Sequence, residues 1–279
     1  MIRLYEKDGH VHSPFCPHRY TDDTISAYVE AAERNGLKEI TFAEHMPTVR
    51  ENFPTPLPIN FKNPDMDGIM EYFEEIKVFR SAYRGPVKIN IGLEVDYMEG
   101  FEEETREMLS KIGDEIEEGI LSVHYLKFNG QYYYISNKDY VATAVEEAGG
   151  AEKLNAIYYE TITKSILTDL GRYKPKRLGH CTMIRLAYRK YPGLANNPDI
   201  LDSLARRIKD GGYSIDLNMQ GLRNETCMEL FGEPLLPYAK KYDIPAALGS
   251  DSHSAETVGV GFNNAAVMDN ISWLRPDWV

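Results

Sequence analysis

A chain of 279 residues can form one large α/β domain or two small ones, and α/β barrels of this size fold as a single unit. With 43% hydrophobic and 27% charged residues the composition is that of a globular protein with a sizeable core, which excludes a disordered chain. A formal net charge of −12 argues against a broad nucleic-acid-binding surface, which needs clustered lysine and arginine, but leaves room for a small anion wherever cations are concentrated.

No apolar run approaches the roughly 20 residues of a membrane span, and the start MIRLYEKDGH lacks the apolar core of a signal peptide. A cytoplasmic protein without a membrane partner is expected. Cys16, Cys181 and Cys227 are odd in number, widely spaced and without a CxxC pair, so free thiols are expected rather than disulfides.

Taken in chain order, short runs rich in Val, Ile and Tyr alternate with longer segments of helical period. The strands read as Met1 to Val11, Glu39 to Glu44, Val87 to Val95, Gly119 to Val123, Arg177 to Gly179, Tyr213 to Leu217 and Ile244 to Gly249. Helices are expected near Thr21 to Asn35, Asp65 to Tyr83, Glu102 to Ile112, Asp139 to Leu170, Pro198 to Asp210 and Glu233 to Lys241. This end-to-end alternation is the signature of repeated βα units in one α/β domain. Two stretches break the rhythm: the proline-rich Pro47 to Pro64, and Lys127 to Lys138, which reads as a hairpin around Asn129-Gly130. Both follow strands, where barrel loops build active sites, so both are candidate substrate walls or lids.

Every one of the seven histidines falls at the C-terminal side of a strand. His10 and His12 end the first strand and His18 lies in the loop after it. His45 ends the second, His124 the fourth and His180 the fifth, and His253 follows the seventh. Glu94 in Gly-Leu-Glu-Val-Asp and Asp251 in Gly-Ser-Asp-Ser-His join them. A single histidine beside a strand is more often a hydrogen-bonded structural residue than a ligand, but the joint placement of all seven reverses that preference. Neutral imidazole with carboxylate is the usual donor set for Zn, Mn and Fe. Three divalent ions against the charges of Glu94 and Asp251 would leave about four positive charges, enough to bind a phosphate dianion without a basic surface.

The run Asp8-Gly9-His10-Val11-His12-Ser13, then Glu44-His45, Gly92-Leu93-Glu94, Ser122-Val123-His124, Gly179-His180 and Ser250-Asp251-Ser252-His253 resembles the PHP (polymerase and histidinol phosphatase) superfamily over the whole chain. The resemblance implies a distorted TIM-like (β/α)7 barrel, one metal-dependent phosphatase domain over residues 1–279, with three divalent ions that are Zn, Fe or Mn. It assigns His10, His12, Glu94 and Asp251 to one ion, Glu94, His124 and His180 to a second, and His18, His45 and His253 to a third. Ser214-Ile215-Asp216-Leu217-Asn218 followed by Gly221-Leu222-Arg223 looks like the histidinol-phosphatase branch, although Met219-Gln220 stands where many relatives have Thr-Ser.

The implied reaction is hydrolysis of L-histidinol phosphate, a step of histidine biosynthesis, by a metal-bound hydroxide. Arg223 and Arg185 are candidate phosphate ligands, and Asp251, His253 or a metal-bound water the candidate proton donors to the leaving alcohol. Glu225, Tyr97, Tyr133 and the Pro47 to Pro64 loop are candidates for the substrate's imidazole and amine. A PHP phosphoesterase or nuclease acting on another ester or a DNA end is the alternative, and a non-catalytic metal-binding protein is a third reading. GxxxxGK, HExxH and Gly-x-Ser-x-Gly patterns are absent, and Gly259-Val260-Gly261 lacks a following βαβ unit, so no nucleotide cofactor is expected.

Overall fold

The computed structural model describes residues 3–47, 64–195, 197–262, 264, 269, 271 and 273–277. In chain order its elements are β1 (Lys7–Val11), α1 (Ile25–Arg34), β2 (Glu39–His45), α2 (Met66–Ala82), β3 (Lys88–Asp96), α3 (Glu102–Ile112), β4 (Glu118–Ser122), β5 (Tyr125–Phe128), β6 (Gln131–Tyr134), α4 (Lys138–Glu147), α5 (Ala151–Leu167), β7 (Arg177–Leu178), α6 (Pro198–Asp210), β8 (Ser214–Asn218), α7 (Gln220–Arg223), α8 (Leu236–Tyr242) and β9 (Ala246–Gly249). Seven strands form one parallel sheet in the order β1-β2-β3-β4-β7-β8-β9. The ends of that sheet meet. Val11 bridges Ser252 in parallel, the Asp251 amide donates to the His10 carbonyl at 2.7 Å, and the His12 amide to the Ser252 carbonyl at 2.9 Å. The result is a nearly closed seven-stranded barrel flanked by helices, the distorted TIM-like architecture expected from the chain.

The strands are buried on both faces, as parallel strands under a helical shell must be: β1, β2, β8 and β9 are buried throughout. Large apolar residues such as Phe42, Ile91, Leu93 and Ile215 belong to the main core. Polar side chains from several strands converge inside the barrel near their N-terminal ends. There Lys7 pairs with Glu39 at 2.8 Å and with Glu118, Thr41 donates to Glu118 at 2.9 Å, and Arg177 donates to the Gly9 carbonyl at 2.9 Å and to Asp277 at 2.7 Å. Each buried charge there has a partner, the condition under which charge is tolerated away from water.

Three expected elements differ in detail. The helix expected over Asp139 to Leu170 is two helices, α4 and α5, because Gly149 and Gly150 take φ of 75° and 133°, conformations only glycine adopts without strain. The first strand starts at Lys7, after a 3-10 turn over Leu4–Glu6. The segment from Glu233 begins as a 3-10 turn before α8, whose start holds Pro237, a residue with no amide hydrogen to donate. The Asn129-Gly130 turn joins β5 to β6 as expected, with both residues at positive φ (51° and 72°), the pairing favoured in two-residue hairpin loops. The loop expected between Pro47 and Pro64 lies, over residues 48–63, outside the described residues.

Candidate metal centre

At the C-terminal ends of the strands the expected ligands meet. His10 belongs to β1 and His12 follows it; His45 ends β2; Glu94 lies in β3; His124, His180 and Asp251 each stand two residues past a strand end. His180 and Asp251 reach the centre with φ of 24° and 53°, sparsely populated for non-glycine residues and characteristic of functional strand ends. Glu94 is the hub. Its Oε2 lies 3.7 Å from His10 Nε2, 3.5 Å from His12 Nε2 and 3.1 Å from His45 Nδ1, and its Oε1 lies 2.9 Å from His180 Nε2 and 3.6 Å from His124 Nε2. Asp251 Oδ1 stands 3.2 Å from His12 Nε2 and 3.8 Å from both His10 Nε2 and His253 Nδ1. The ring of His253 stacks on His12 at 4.0 Å between centroids, and His18 sits edge-on to His45 at 5.0 Å.

Carboxylates behind the rings decide which nitrogens face inward. His10 Nδ1 donates to Asp216 at 2.9 Å and His124 Nδ1 to Asp96 at 2.6 Å, which turns each Nε2 toward the centre. Asn218 donates to Asp251 Oδ2 at 3.0 Å, and Glu44 accepts from Ser13 and lies 3.6 Å from His12 Nδ1. Asp216, Asp96, Glu44 and Asn218 carry no site role in the sequence reading. The available signal was their spacing: Asp96 stands two residues past Glu94, on the same face of the strand, and Asp216 interrupts an otherwise apolar run.

The electrostatics suit cations. Burial opposes the charge of His10, but Asp251, Asp216 and Glu94 outweigh it and push the ring up to about 10. Burial disfavours the Glu94 and Asp251 charges too, yet the surrounding imidazoles hold both carboxyls well below the usual range. Burial, reinforced by His45 and His12, takes His18 down to about 3. The Nε2 atoms of His10, His12 and His45 are buried with no hydrogen-bond partner among the described residues. Buried imidazole nitrogens left this way around two carboxylates are what a divalent ion satisfies. Within these residues, His10, His12 and Glu94 form one group able to hold an ion and Glu94, His124 and His180 another.

A cavity of about 400 Å³ opens onto the cluster, lined by His18, His45, Glu94, His124, Asp251 and His253 among others. A neighbouring cavity shares Tyr20, Gln220, Asp251 and His253 with it and adds Arg223 and Glu225. Arg223 Nη2 donates to the carbonyls of Ser250 at 2.5 Å and Asp251 at 3.3 Å, which hangs the guanidinium beside the loop that carries Asp251 and His253. Arg185 is placed differently from the phosphate role expected of it. It is buried, ion-paired with Glu229 and stacked over Tyr188 at 4.3 Å, and it lines neither cavity. Tyr97 and Tyr133 are likewise absent from both walls. Tyr97 is buried with its hydroxyl 3.2 Å from Glu102, and Tyr133 stacks on Phe128. Side chains alternate along a strand, so Tyr134 and Tyr125, paired across the hairpin, face the cavity instead. Cys181 is a buried thiol in the main core, and burial pushes it up to about 12.

The profile of the PHP domain matches residues 8–220, and a second, PHP-associated profile matches residues 236–273. The chain belongs to the PHP family. Among its relatives, the histidinol-phosphatase of Bacillus subtilis (strain 168) is 34% identical over 263 residues, which span 93% of this chain and 97% of that protein. The crystal structure of hisK from Listeria monocytogenes superposes with a TM-score of 0.84 at 28% identity, covering 93% of this chain and 99% of that one. Histidinol phosphate phosphatase from Lactococcus lactis subsp. lactis Il1403, solved with zinc, L-histidinol and phosphate, shares the fold with a TM-score of 0.73 at 20% identity, covering 97% and 94% of the two chains. None of the described helices is long and apolar enough to cross a membrane.

Proposed function

We infer that this PHP protein hydrolyses L-histidinol phosphate to L-histidinol and phosphate. The observation that carries the reading is its end-to-end likeness to the Bacillus subtilis histidinol-phosphatase, a reaction the cluster of imidazoles and carboxylates is chemically suited to perform. We propose three divalent ions, Zn, Fe or Mn: one held by His10, His12, Glu94 and Asp251, one by Glu94, His124 and His180, and one on the side of His18, His45 and His253. Bound there, such ions supply positive charge to the phosphoryl oxygens and activate water as a nucleophile at neutral pH.

The chain's own groups do the rest. Glu94 would help to hold the first two ions, since its Oε2 faces His10 and His12 and its Oε1 faces His180 and His124, and its 2.6 Å hydrogen bond from Ser122 fixes the carboxylate plane. Asp216 and Asp96 hold the rings of His10 and His124 so that ligand geometry is preformed. Arg223 is tied to the Ser250 and Asp251 carbonyls through Nη2 alone, leaving donors to stabilise charge gathering on the phosphoryl oxygens. Asp251 and His253 line both cavities; burial and His12 keep His253 neutral and the imidazoles keep Asp251 ionised, so on that side they would orient the water that protonates the leaving alcohol. Glu225, on the Arg223 side, offers a carboxylate to the substrate's ammonium group.

The test is phosphate release from L-histidinol phosphate by metal-loaded protein, beside a chelated sample, an Arg223→Ala variant, other phosphomonoesters and single-stranded DNA. Chelator-sensitive turnover of histidinol phosphate that drops in the variant is the expected result. Activity confined to another ester or to DNA ends would keep the metal centre and overturn the substrate.

A further inference from the structure

Cys16 has no role among the nitrogen and oxygen ligands, yet the loop after β1 delivers it to the same place. The Cys16 amide donates to the Ser13 carbonyl at 3.0 Å and the Arg19 amide to the Cys16 carbonyl at 3.2 Å, and the side chain is completely buried. One donor atom from each of Cys16, His12, His45 and His253 lies within 4.8 Å of all the others. Among the described residues, His45 Nε2 and both ring nitrogens of His12 make no hydrogen bond of good geometry although both residues are more than nine-tenths buried. Shared metal ligation accounts for this gathering: N and S donors at about 2.0 and 2.3 Å from a tetrahedral ion stand roughly 3.3–3.8 Å apart. In addition, the His18 amide donates to Cys16 Sγ at 3.4 Å, which fixes the sulfur beside the histidine rings.

We propose that Cys16 Sγ is a protein ligand of the ion held by His45 and His253, on the buried side of that position, with His18 on the side of the cavity it lines. The assignment rests on reading the cluster as a metal centre. His12 stays with the neighbouring position, where its Nε2 faces Asp251 and Glu94. Two consequences follow from the donor chemistry. A thiolate selects Zn or Fe over Mn at this position, whereas the other two, built from nitrogen and oxygen alone, accept all three. The sulfur would also tie that ion to the loop after β1 on its buried side, while substrate would approach from the cavity that His18, His45 and His253 line.

The experiment is zinc K-edge X-ray absorption of the zinc-loaded wild-type chain, paired with near-ultraviolet spectra of cobalt(II)-loaded wild type, Cys16→Ser, Cys181→Ser and Cys227→Ser. Expected are a sulfur shell at about 2.3 Å and a sulfur-to-cobalt charge-transfer band that Cys16→Ser alone abolishes. Cys16→Ser is also expected to weaken retention of one ion per chain by more than about tenfold, the least that loss of an outer partner costs. A fully loaded wild type with only nitrogen and oxygen scatterers overturns the proposal, and because that spectrum needs no variant it decides the matter even if Cys16→Ser fails to fold. Turnover of histidinol phosphate in the same samples separates the two readings. Turnover without a sulfur shell overturns the Cys16 assignment alone, and a sulfur shell without turnover supports it while overturning the substrate.

Discussion

A guanidinium beside a metal cluster helps catalysis only if its charge is aimed where charge develops, and the two candidate arginines differ on that point. Arg185 spends its charge on Glu229, whereas Arg223 is anchored to carbonyl oxygens, which orient it without neutralising it. Losing a charge-stabilising donor of this kind costs about 10²–10³ in kcat. Arg223→Ala should show that drop in steady-state kinetics with metal content unchanged, and a variant as active as wild type would remove Arg223 from the reaction. The histidines make a second residue-scale prediction. Burial lowers His10, but Asp251, Asp216 and Glu94 raise it to about 10; for His45, burial and His12 push down while Cys16 and Glu94 push up, again to about 10. An ordinary imidazole near 6.5 is neutral at pH 8 and has no proton to release there. His10 and His45 still carry theirs in the metal-free chain, and His12, also raised well above the ordinary value, adds to them, so metal uptake at pH 8 should release at least two protons and tighten as pH rises toward 10. Calorimetric titration in buffers of different ionisation enthalpy counts those protons, and a count of zero would refute the prediction.

At the scale of elements, β3 connects the polar interior to the metal centre. Asn90, Gly92, Glu94 and Asp96 share one face of the strand by period two: Asn90 donates to Glu39 in the interior network, Glu94 is the hub and Asp96 orients His124. Gly92 occupies the narrow level between. A Cβ there would stand 2.7 Å from the Glu118 carbonyl and 2.9 Å from Thr41, and backbone cannot give way as a side-chain tip can. Gly92→Ala should therefore destabilise the fold by about 1–3 kcal/mol and, by moving β3 against β4, also lower activity. Thermal denaturation with a parallel assay checks both, and an unchanged midpoint would show that the strands yield more easily than this packing implies. The strands were legible as short β-branched runs between turn signals, and the Asn129-Gly130 hairpin from its dipeptide. The break at Gly149-Gly150 was missed because helical periodicity continues on both sides of it.

For the whole molecule, closure and metal binding are coupled. The candidate ligands come from β1, β2 and β3 and from the segments after β1, β4, β7 and β9, while the seam between β1 and β9 is held near the centre by the bridge from Val11 to Ser252 and the hydrogen bonds of His10, His12 and Asp251. Ions bound across these strand ends stabilise only the closed barrel, because the unfolded chain does not hold the ligands together. At free metal one hundred times the dissociation constant, one site adds about 2.7 kcal/mol. Chelation should lower the melting temperature by several degrees and re-addition of zinc restore it; a midpoint indifferent to metal would mean that the barrel closes without help.

Taken alone, the sequence determined the class of fold and which histidines and carboxylates are the candidates for metal binding. Buried parallel strands need apolar runs, and functional groups in such barrels stand where strands give way to loops, so both leave local patterns in the order of residues. The tertiary structure alone decided which groups meet across the barrel: Asp216 behind His10, Asp96 behind His124, Arg185 against Glu229, Tyr134 rather than Tyr133 on the cavity wall, and Cys16 beside His45 and His253. These pairings depend on strand register and on closure of the sheet, where a shift of one residue turns a side chain to the opposite face, and a linear sequence does not display either.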